Sequence, residues 1–144
     1  MTITLATVRT HIRLLLADPE SRTWTDADLD EAVRQALAEL AGAAGAPIPL
    51  EGLDGEAGPS GLTAEQAQTL AGGAAGYAVL SRALRRAEAV DLGQTVPATL
   101  LDWAHARLKA FRAQVLALRL VTLQRSTQPP YAPWSDPDES TPWR

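Results

Sequence analysis

Residues 24–40, WTDADLDEAVRQALAEL, contain the clearest helix start in the chain and decide how the fold is interpreted. Thr25 stands at the N-cap position and Asp28 at the third helical position, a variant of the capping box in which Asp replaces Glu. Negative charge in the first turn favours the helix dipole, and here it comes from Asp26, Asp28 and Asp30. The stretch therefore predicts a helix that begins at Asp26.

The apolar residues after this cap predict which face of the helix is buried. Trp24, just before the cap, can pack onto Leu29. We expect the helix to stop at Gly42 or Gly45. Its expected core face, at helical spacing, consists of Leu29, Val33, Ala36, Leu37 and Leu40.

A first helix is predicted upstream, from Thr4 to Ala17, and Pro19 is expected to end it because the residue before proline disfavours the α region. The short connector to Trp24 predicts an antiparallel hairpin or an angled pair. The stripe of this helix consists of Leu5, Val8, Ile12, Leu15 and Leu16.

A third helix is predicted from a second capping box, Thr63 with Gln66, to about Ala89. Its stripe consists of Ala67, Leu70, Ala74, Tyr77, Ser81 and Leu84. Three glycines inside it, Gly72, Gly73 and Gly76, each cost about 1 kcal/mol of helix propensity relative to Ala. We expect close approach of another backbone, from a neighbouring helix or subunit, to compensate.

The fourth and longest helix is predicted to open at Thr95 and Pro97 and to run to about Gln124. One stripe suits a bundle core and consists of Leu101, Ala104, Leu108, Phe111, Val115 and Leu118. A second consists of Leu116, Leu120 and Leu123. A helix that is apolar on two sides usually has two partners, so we expect the second from another chain.

These elements predict an all-α fold with two parts, a helical domain over 1–125 and an extended arm over 126–144. Hydrophobic residues make up 46% of the 144, with one Phe, and Ala and Leu, the strongest helix formers, dominate. The loop 42–61 contains six glycines and three prolines and is either a binding loop or a mobile one. The expected scaffold residues are Trp24, Leu29, Leu37, Tyr77 and Phe111.

Charge is unevenly distributed along the chain, whose net charge is −4. Residues 18–60 hold ten acids and two bases, and residues 98–125 hold five bases and one acid. We expect such faces to meet between copies or to border a DNA channel, through Arg107, Lys109, Arg112, Arg119, Arg125, Asp26, Asp28 and Asp30. The alternative is two solvated faces on a monomer.

The final segment, residues 126–144, contains five prolines and too few apolar residues to fold alone. Its aromatic residues are of the type enriched at interface hot spots; they are Tyr131, Trp134 and Trp143. We expect a docking arm, the alternative being a frayed terminus.

Several function classes find no support in the residues. There is no cysteine for a disulfide or thiolate metal site, no signal peptide is expected, and no apolar stretch approaches a membrane span. Asp26-x-Asp28-x-Asp30 imitates a calcium loop but lacks its Gly and Glu. His11 and His105 have no ligand or triad signature. We therefore expect no enzyme activity, cofactor, metal or membrane contact.

The first forty residues resemble the opening of the head-tail connector (adaptor) family of tailed bacteriophages. The resemblance is carried by three stretches, Leu5-x-x-Val8-Arg9-x-x-Ile12-x-x-Leu15-Leu16, Trp24-Thr25-Asp26, and Leu29-Asp30-x-x-Val33-x-x-Ala36-Leu37-x-x-Leu40. The rest of the chain matches only in layout, and the Gly/Pro loop is longer than the family's.

The resemblance implies a non-enzymatic subunit of a ring, usually twelve-membered, in the neck of the virion. The ring would join the portal protein to a stopper or tail-terminator protein and surround passing DNA, and the arm would reach the portal. The protein would be made in the host cytoplasm, and its oligomeric state before assembly is left open. Two rivals stay open: a small helical DNA-binding regulator, and an enzyme whose site is built from scattered residues.

Overall fold

The computed structural model describes residues 3–55, 60–88 and 98–125. They form four α-helices, α1 (Leu5–Leu15), α2 (Asp26–Ala44), α3 (Ala64–Glu88) and α4 (Ala98–Arg125). The predicted all-α fold is confirmed for this part of the chain, where extended pairing is limited to an isolated bridge between Thr4 and Glu51. The predicted boundaries at Ala89, Thr95 and Pro97, and the arm over 126–144, lie outside the described residues.

Both predicted capping boxes are present. The Thr25 hydroxyl accepts the amide of Asp28 at 3.2 Å, and the Asp28 carboxylate accepts the amide of Thr25 at 3.3 Å. Thr63 and Gln66 make the same reciprocal pair at 3.2 and 2.9 Å. Of the two stops predicted for α2, Gly45 is the one used, since it adopts the left-handed conformation with φ of 72°.

The end of α1 differs from the prediction. The helix stops at Leu15 rather than Ala17, and Ala17, two residues before Pro19, adopts a left-handed conformation with φ of 53°. The amide of Asp18 then donates to the carbonyl of Arg13 at 2.9 Å, and that of Ala17 to Leu14 at 3.2 Å. This is a Schellman motif with alanine where glycine is usual.

The helices alternate in direction, and α3 packs against the other three. Arg9 of α1 reaches Asp30 and Arg13 reaches Asp26, so α1 and α2 run in opposite directions, as in the antiparallel one of the two arrangements that the short connector predicted. The inner surface of α3 is built from small residues, which lets neighbouring helices approach closely; they are Ala67, Ala71, Ala74, Ala75 and Ala78.

Two of the three α3 glycines are explained by this close approach. A Cβ at Gly73 would lie 2.7 Å from the ring of Phe111, and one at Gly76 would lie 2.9 Å from Leu108 and 3.3 Å from the carbonyl oxygen of Ala104. At Gly72, in contrast, nothing lies within 4 Å of such an atom. Helix α4 therefore packs closely on Gly73 and Gly76, but the predicted approach of another backbone is found only at Gly76. At Gly72 the prediction is wrong within the subunit.

The predicted core stripes are buried or half-buried except near the C-terminal ends of α1 and α3. All five predicted α2 positions are buried, as are Trp24 and Phe111. Leu15 and Leu84, however, are exposed, which contradicts their assignment to the core. Both lie where their helices reach the end of the bundle, so spacing alone placed them on the right face without a neighbour to cover them.

The loop after α2 is held against the domain over its described residues, 45–55 and 60–63. The carbonyl of Glu51 accepts the amide of Leu5 at 2.9 Å, and the Ser60 hydroxyl donates to the carbonyl of Ile3 at 2.7 Å. Leu50 and Leu62 are buried. This part of the Gly/Pro segment therefore closes the core over the start of α1.

Candidate interaction surfaces

A buried polar cluster joins α1, the connector and the start of α2. The Asp18 carboxylate accepts the backbone amides of Arg22, Thr23 and Trp24 at 2.9, 3.0 and 3.0 Å. Burial by itself raises the pKa of Asp18, but these three amides and nearby Arg13 outweigh it, so the pKa lies below its ordinary value. The carboxylate therefore organises the connector that presents Trp24.

The three acids at the start of α2 are paired within the subunit. Arg9 holds Asp30 through two hydrogen bonds of 2.6 and 2.7 Å and Asp26 at 3.2 Å, and Arg13 holds Asp26 at 2.6 Å. Asp28 binds Arg85 of α3 at 2.6 Å. The hydrogen bond from Thr25 and the contact with Arg85 together lower the pKa of Asp28. Within the described residues these acids thus meet arginines of their own chain.

A second cluster connects α2, α3 and α4. The Tyr77 hydroxyl donates to Glu39, and Arg112 lies 3.4 Å from Glu39 and 3.2 Å from the Tyr77 oxygen. Burial and then the Glu39 hydrogen bond raise the pKa of Tyr77. The hydrogen bonds to Tyr77 and Glu39 also raise the pKa of Arg112. Arg112, predicted as an interface or channel charge, is therefore tied to the scaffold residue Tyr77.

The remaining predicted bases of α4 are exposed. They are Arg107, Lys109, Arg119 and Arg125, and within the described residues none forms an ion pair. The helix carries no acid after Asp102. These side chains thus leave the surface of α4 basic.

The second apolar stripe of α4 faces solvent. Leu116, Leu120 and Leu123 are 57%, 53% and 61% exposed. They continue at helical spacing from Arg112, on a side of the helix that the core residue Phe111 does not share. This exposure agrees with the prediction of a second partner, while the described residues contain no such partner.

A groove of about 590 Å³ lies where the C-terminal ends of α1 and α3 meet the start of α4. We call it the tryptophan groove; its walls include Leu15, Leu16, Trp24, Val79, Leu100 and Trp103. The Arg82 guanidinium lies 4.9 Å from the ring centre of Trp24, and that of Arg107 lies 5.2 Å from that of Trp103. Cations over aromatic faces at such distances attract the ring. The groove is thus apolar inside and positively charged beside both tryptophans.

The sequence did not reveal this groove, because its two tryptophans lie 79 positions apart on different helices. Arg82 and Trp103 were therefore missed as candidates. The sequence offered only the position of Trp103 near the start of a predicted helix, and that alone does not indicate a binding site. The predicted arm residues Tyr131, Trp134 and Trp143 lie outside the described residues.

The described ranges contain no group of three or more His, Cys, Asp or Glu residues that could hold a metal ion. His11 and His105 are both exposed. Within the same ranges, no helix is long and apolar enough to cross a membrane.

Comparisons with known proteins add no relative: no family model, no curated protein and no solved structure matches this chain.

Proposed function

We propose that this protein is a non-enzymatic subunit of a phage head-to-tail adaptor ring. The observation that carries the proposal is the solvent-facing stripe Leu116, Leu120 and Leu123 on a basic helix α4. Contiguous exposed apolar residues bordered by charge mark protein interaction sites. The resemblance of residues 5–40 to the connector family specifies which kind of assembly this would be.

The distribution of charge refines how copies would meet in the ring. Asp26, Asp28 and Asp30 pair with arginines of their own subunit. Contact between copies therefore rests first on the α4 leucines. Where the paired acids are partly exposed, they help to set the position of one copy relative to the next. Charged rims of this type steer encounter and orientation more than they add affinity.

The arm over 126–144 is proposed to dock on the portal protein, and a stopper or tail-terminator protein would bind the opposite side of the ring. Ordering the arm on binding costs conformational entropy but covers a large surface. Deleting residues 126–144 is expected to leave the helical domain folded and to abolish portal attachment. Undiminished attachment by the shortened chain would remove the docking role.

Electron microscopy of purified particles, with this protein labelled, tests the proposal directly. A labelled ring at the head–tail vertex is expected. A Leu116→Ser, Leu120→Ser double variant should be missing from that vertex, while Leu14→Ser, an equally exposed leucine on α1, should assemble normally. Absence of the wild-type protein from particles would overturn the adaptor role.

A DNA contact is the second candidate, favoured by the exposed α4 bases. Each phosphate neutralised by such a base would release counterions, so the affinity for duplex DNA would fall steeply with salt. The adaptor role requires only weak, sequence-blind contact, as for DNA passing through a channel. Sequence-specific binding that survives physiological salt would favour the regulator instead.

A further inference from the structure

We propose that the tryptophan groove binds the C-terminal arm, residues 126–144, of its own subunit, with Trp143 as the inserted side chain. The contact would cover the groove in the free protein and requires neither a second copy nor a portal. It gives the arm a site within the subunit in addition to the proposed portal site.

The groove has apolar walls that are left partly uncovered. Leu15 and Leu100 line it and are 37% and 38% exposed. Its volume of about 590 Å³ lies within the roughly 300–1,000 Å³ of sites that bury a compact ligand. Arg82 is the one charged residue among the described residues that line it. The groove therefore suits a large aromatic side chain that is accompanied by acids.

The arm supplies this combination around Trp143. Its three acids, Asp136, Asp138 and Glu139, precede this tryptophan by four to seven positions, and its one base is Arg144. Four extended residues span at most about 14 Å. A Trp143 side chain in the groove would thus bring the acids towards Arg82. Apolar anchoring and charge complementarity select the same segment.

The length of the chain selects Trp143 among the aromatic residues of the arm. Trp103 precedes Arg125 by 22 residues on α4, a distance of about 33 Å at the rise of an α-helix. Trp134 follows Arg125 by nine residues, which span at most about 32 Å when fully extended. Trp143 follows by 18 residues, or at most about 65 Å. Trp143 therefore reaches the groove with slack, whereas Trp134 has none for turning back along the helix.

Tethering favours the arm of the same subunit over that of a second copy. A flexible chain of 18 residues has an end-to-end distance of roughly 23 Å, and the five prolines of the arm extend it towards the distance that has to be spanned. A short tether of this kind corresponds to an effective concentration on the order of millimolar. A second copy would compete only at comparable protein concentrations.

Docking within the subunit would keep the arm from the portal until the portal displaces it. This consequence rests on the proposed function, whereas the contact itself does not. Its test uses the purified protein alone, so a failure there leaves the adaptor role standing, and absence from particles leaves the contact standing.

Nuclear magnetic resonance of the full-length protein, labelled with ¹⁵N, tests the inference, because each of its four tryptophans gives one indole N–H signal. Trp143→Ala is expected to remove its own signal and to shift that of Trp24 or Trp103, since the inserted ring is lost. Trp134→Ala is the matched control in the same arm and should remove only its own signal. Circular dichroism verifies that both variants keep their helices.

A change in the groove provides the reciprocal test. Leu100→Glu places a carboxylate opposite the acids of the arm and is expected to shift the Trp143 signal. Leu116→Ser, at a leucine of α4 that is 57% exposed and does not line the groove, should leave that signal in place. The signals should also keep their positions on about a hundredfold dilution, because a tethered contact does not depend on protein concentration.

Three results would overturn the inference. The first is a Trp143→Ala variant in which the other three indole signals stay in place. The second is a Trp143 signal that moves in Leu116→Ser and not in Leu100→Glu, which would assign the arm to the leucine stripe of α4. The third is a shift of the signals on dilution, which would assign the contact to a second copy.

Discussion

At the end of the bundle where α1 meets α2, charged groups are partly buried and paired within the subunit, whereas along the second half of α4 leucines face solvent. Asp18 is only 7% exposed and accepts three amides. Leu123 is 61% exposed. The first region is complete within one chain, and the second has an apolar surface to offer a partner. The first region thus contributes to stability, and the proposed assembly role rests on the second.

The largest expected effect separates the two sides of α4. Phe111 is buried beside Gly73, so Phe111→Ala should lower the free energy of unfolding by about 3–5 kcal/mol through lost burial and a cavity. Leu120→Ser on the exposed side should change it by no more than about 0.5 kcal/mol. Urea denaturation of the two variants checks this, and equal losses would contradict the assignment of sides.

The polar cluster can be broken at Arg13. This side chain donates to the carbonyl of Trp24 at 3.0 Å and to Asp26 at 2.6 Å, and lies 3.7 Å from Asp18. Arg13→Ala should cost about 2–3 kcal/mol, since it strands a buried carbonyl and weakens the environment of a buried carboxylate. Arg22→Ala, which removes an exposed pair with Glu20, should cost less than about 1 kcal/mol. Thermal unfolding of both variants gives the comparison.

Two neighbouring glycines of α3 test the contact between α3 and α4. Gly73→Ala would force a methyl group into the Phe111 ring and should destabilise the protein by about 1–2 kcal/mol, even after the gain in helix propensity. Gly72→Ala meets open space and should stabilise the subunit by up to about 1 kcal/mol. The two changes in the free energy of unfolding, measured by urea denaturation, should have opposite signs. Destabilisation by both variants would show that a side chain is not tolerated at Gly72 either.

Acid sensitivity should distinguish the cluster from the rest of the surface. The pKa of Asp18 is lowered in the folded state, so its contribution is fully present above the ordinary carboxyl pKa of about 3.9 and is lost as pH falls through the lower folded value. The stability of Asp18→Asn should therefore fall less steeply than that of the wild type as the pH is lowered. Circular dichroism followed from neutral pH downward measures this. The same pH dependence in the variant and the wild type would contradict the role given to this carboxylate.

The smallest expected effect concerns the end of α1. Ala17 adopts a left-handed conformation that costs an L-residue about 1–2 kcal/mol, and glycine escapes this cost at some entropic expense. Ala17→Gly should therefore raise stability by about 0.5–1 kcal/mol. Thermal unfolding of this variant beside the wild type checks the sign.

Much of the local structure could be predicted because it depends on neighbouring residues. Thr25 with Asp28 and Thr63 with Gln66 identify helix starts, since a cap is completed within three positions. All five core positions predicted for α2 are buried, and Ala32 and Ala43 are buried in addition. The end of α1 could not be predicted, since nothing in the local sequence favours a left-handed alanine before Pro19.

The sequence by itself determined the four helices, the buried face of α2 and the apolar second side of α4, because each depends on spacing within one segment. Only the tertiary structure decided that Asp26, Asp28 and Asp30 bind arginines of their own chain, and that Trp24 and Trp103 meet in a groove. The physical reason is that such contacts join residues far apart in sequence, whose meeting depends on helix direction and packing distance.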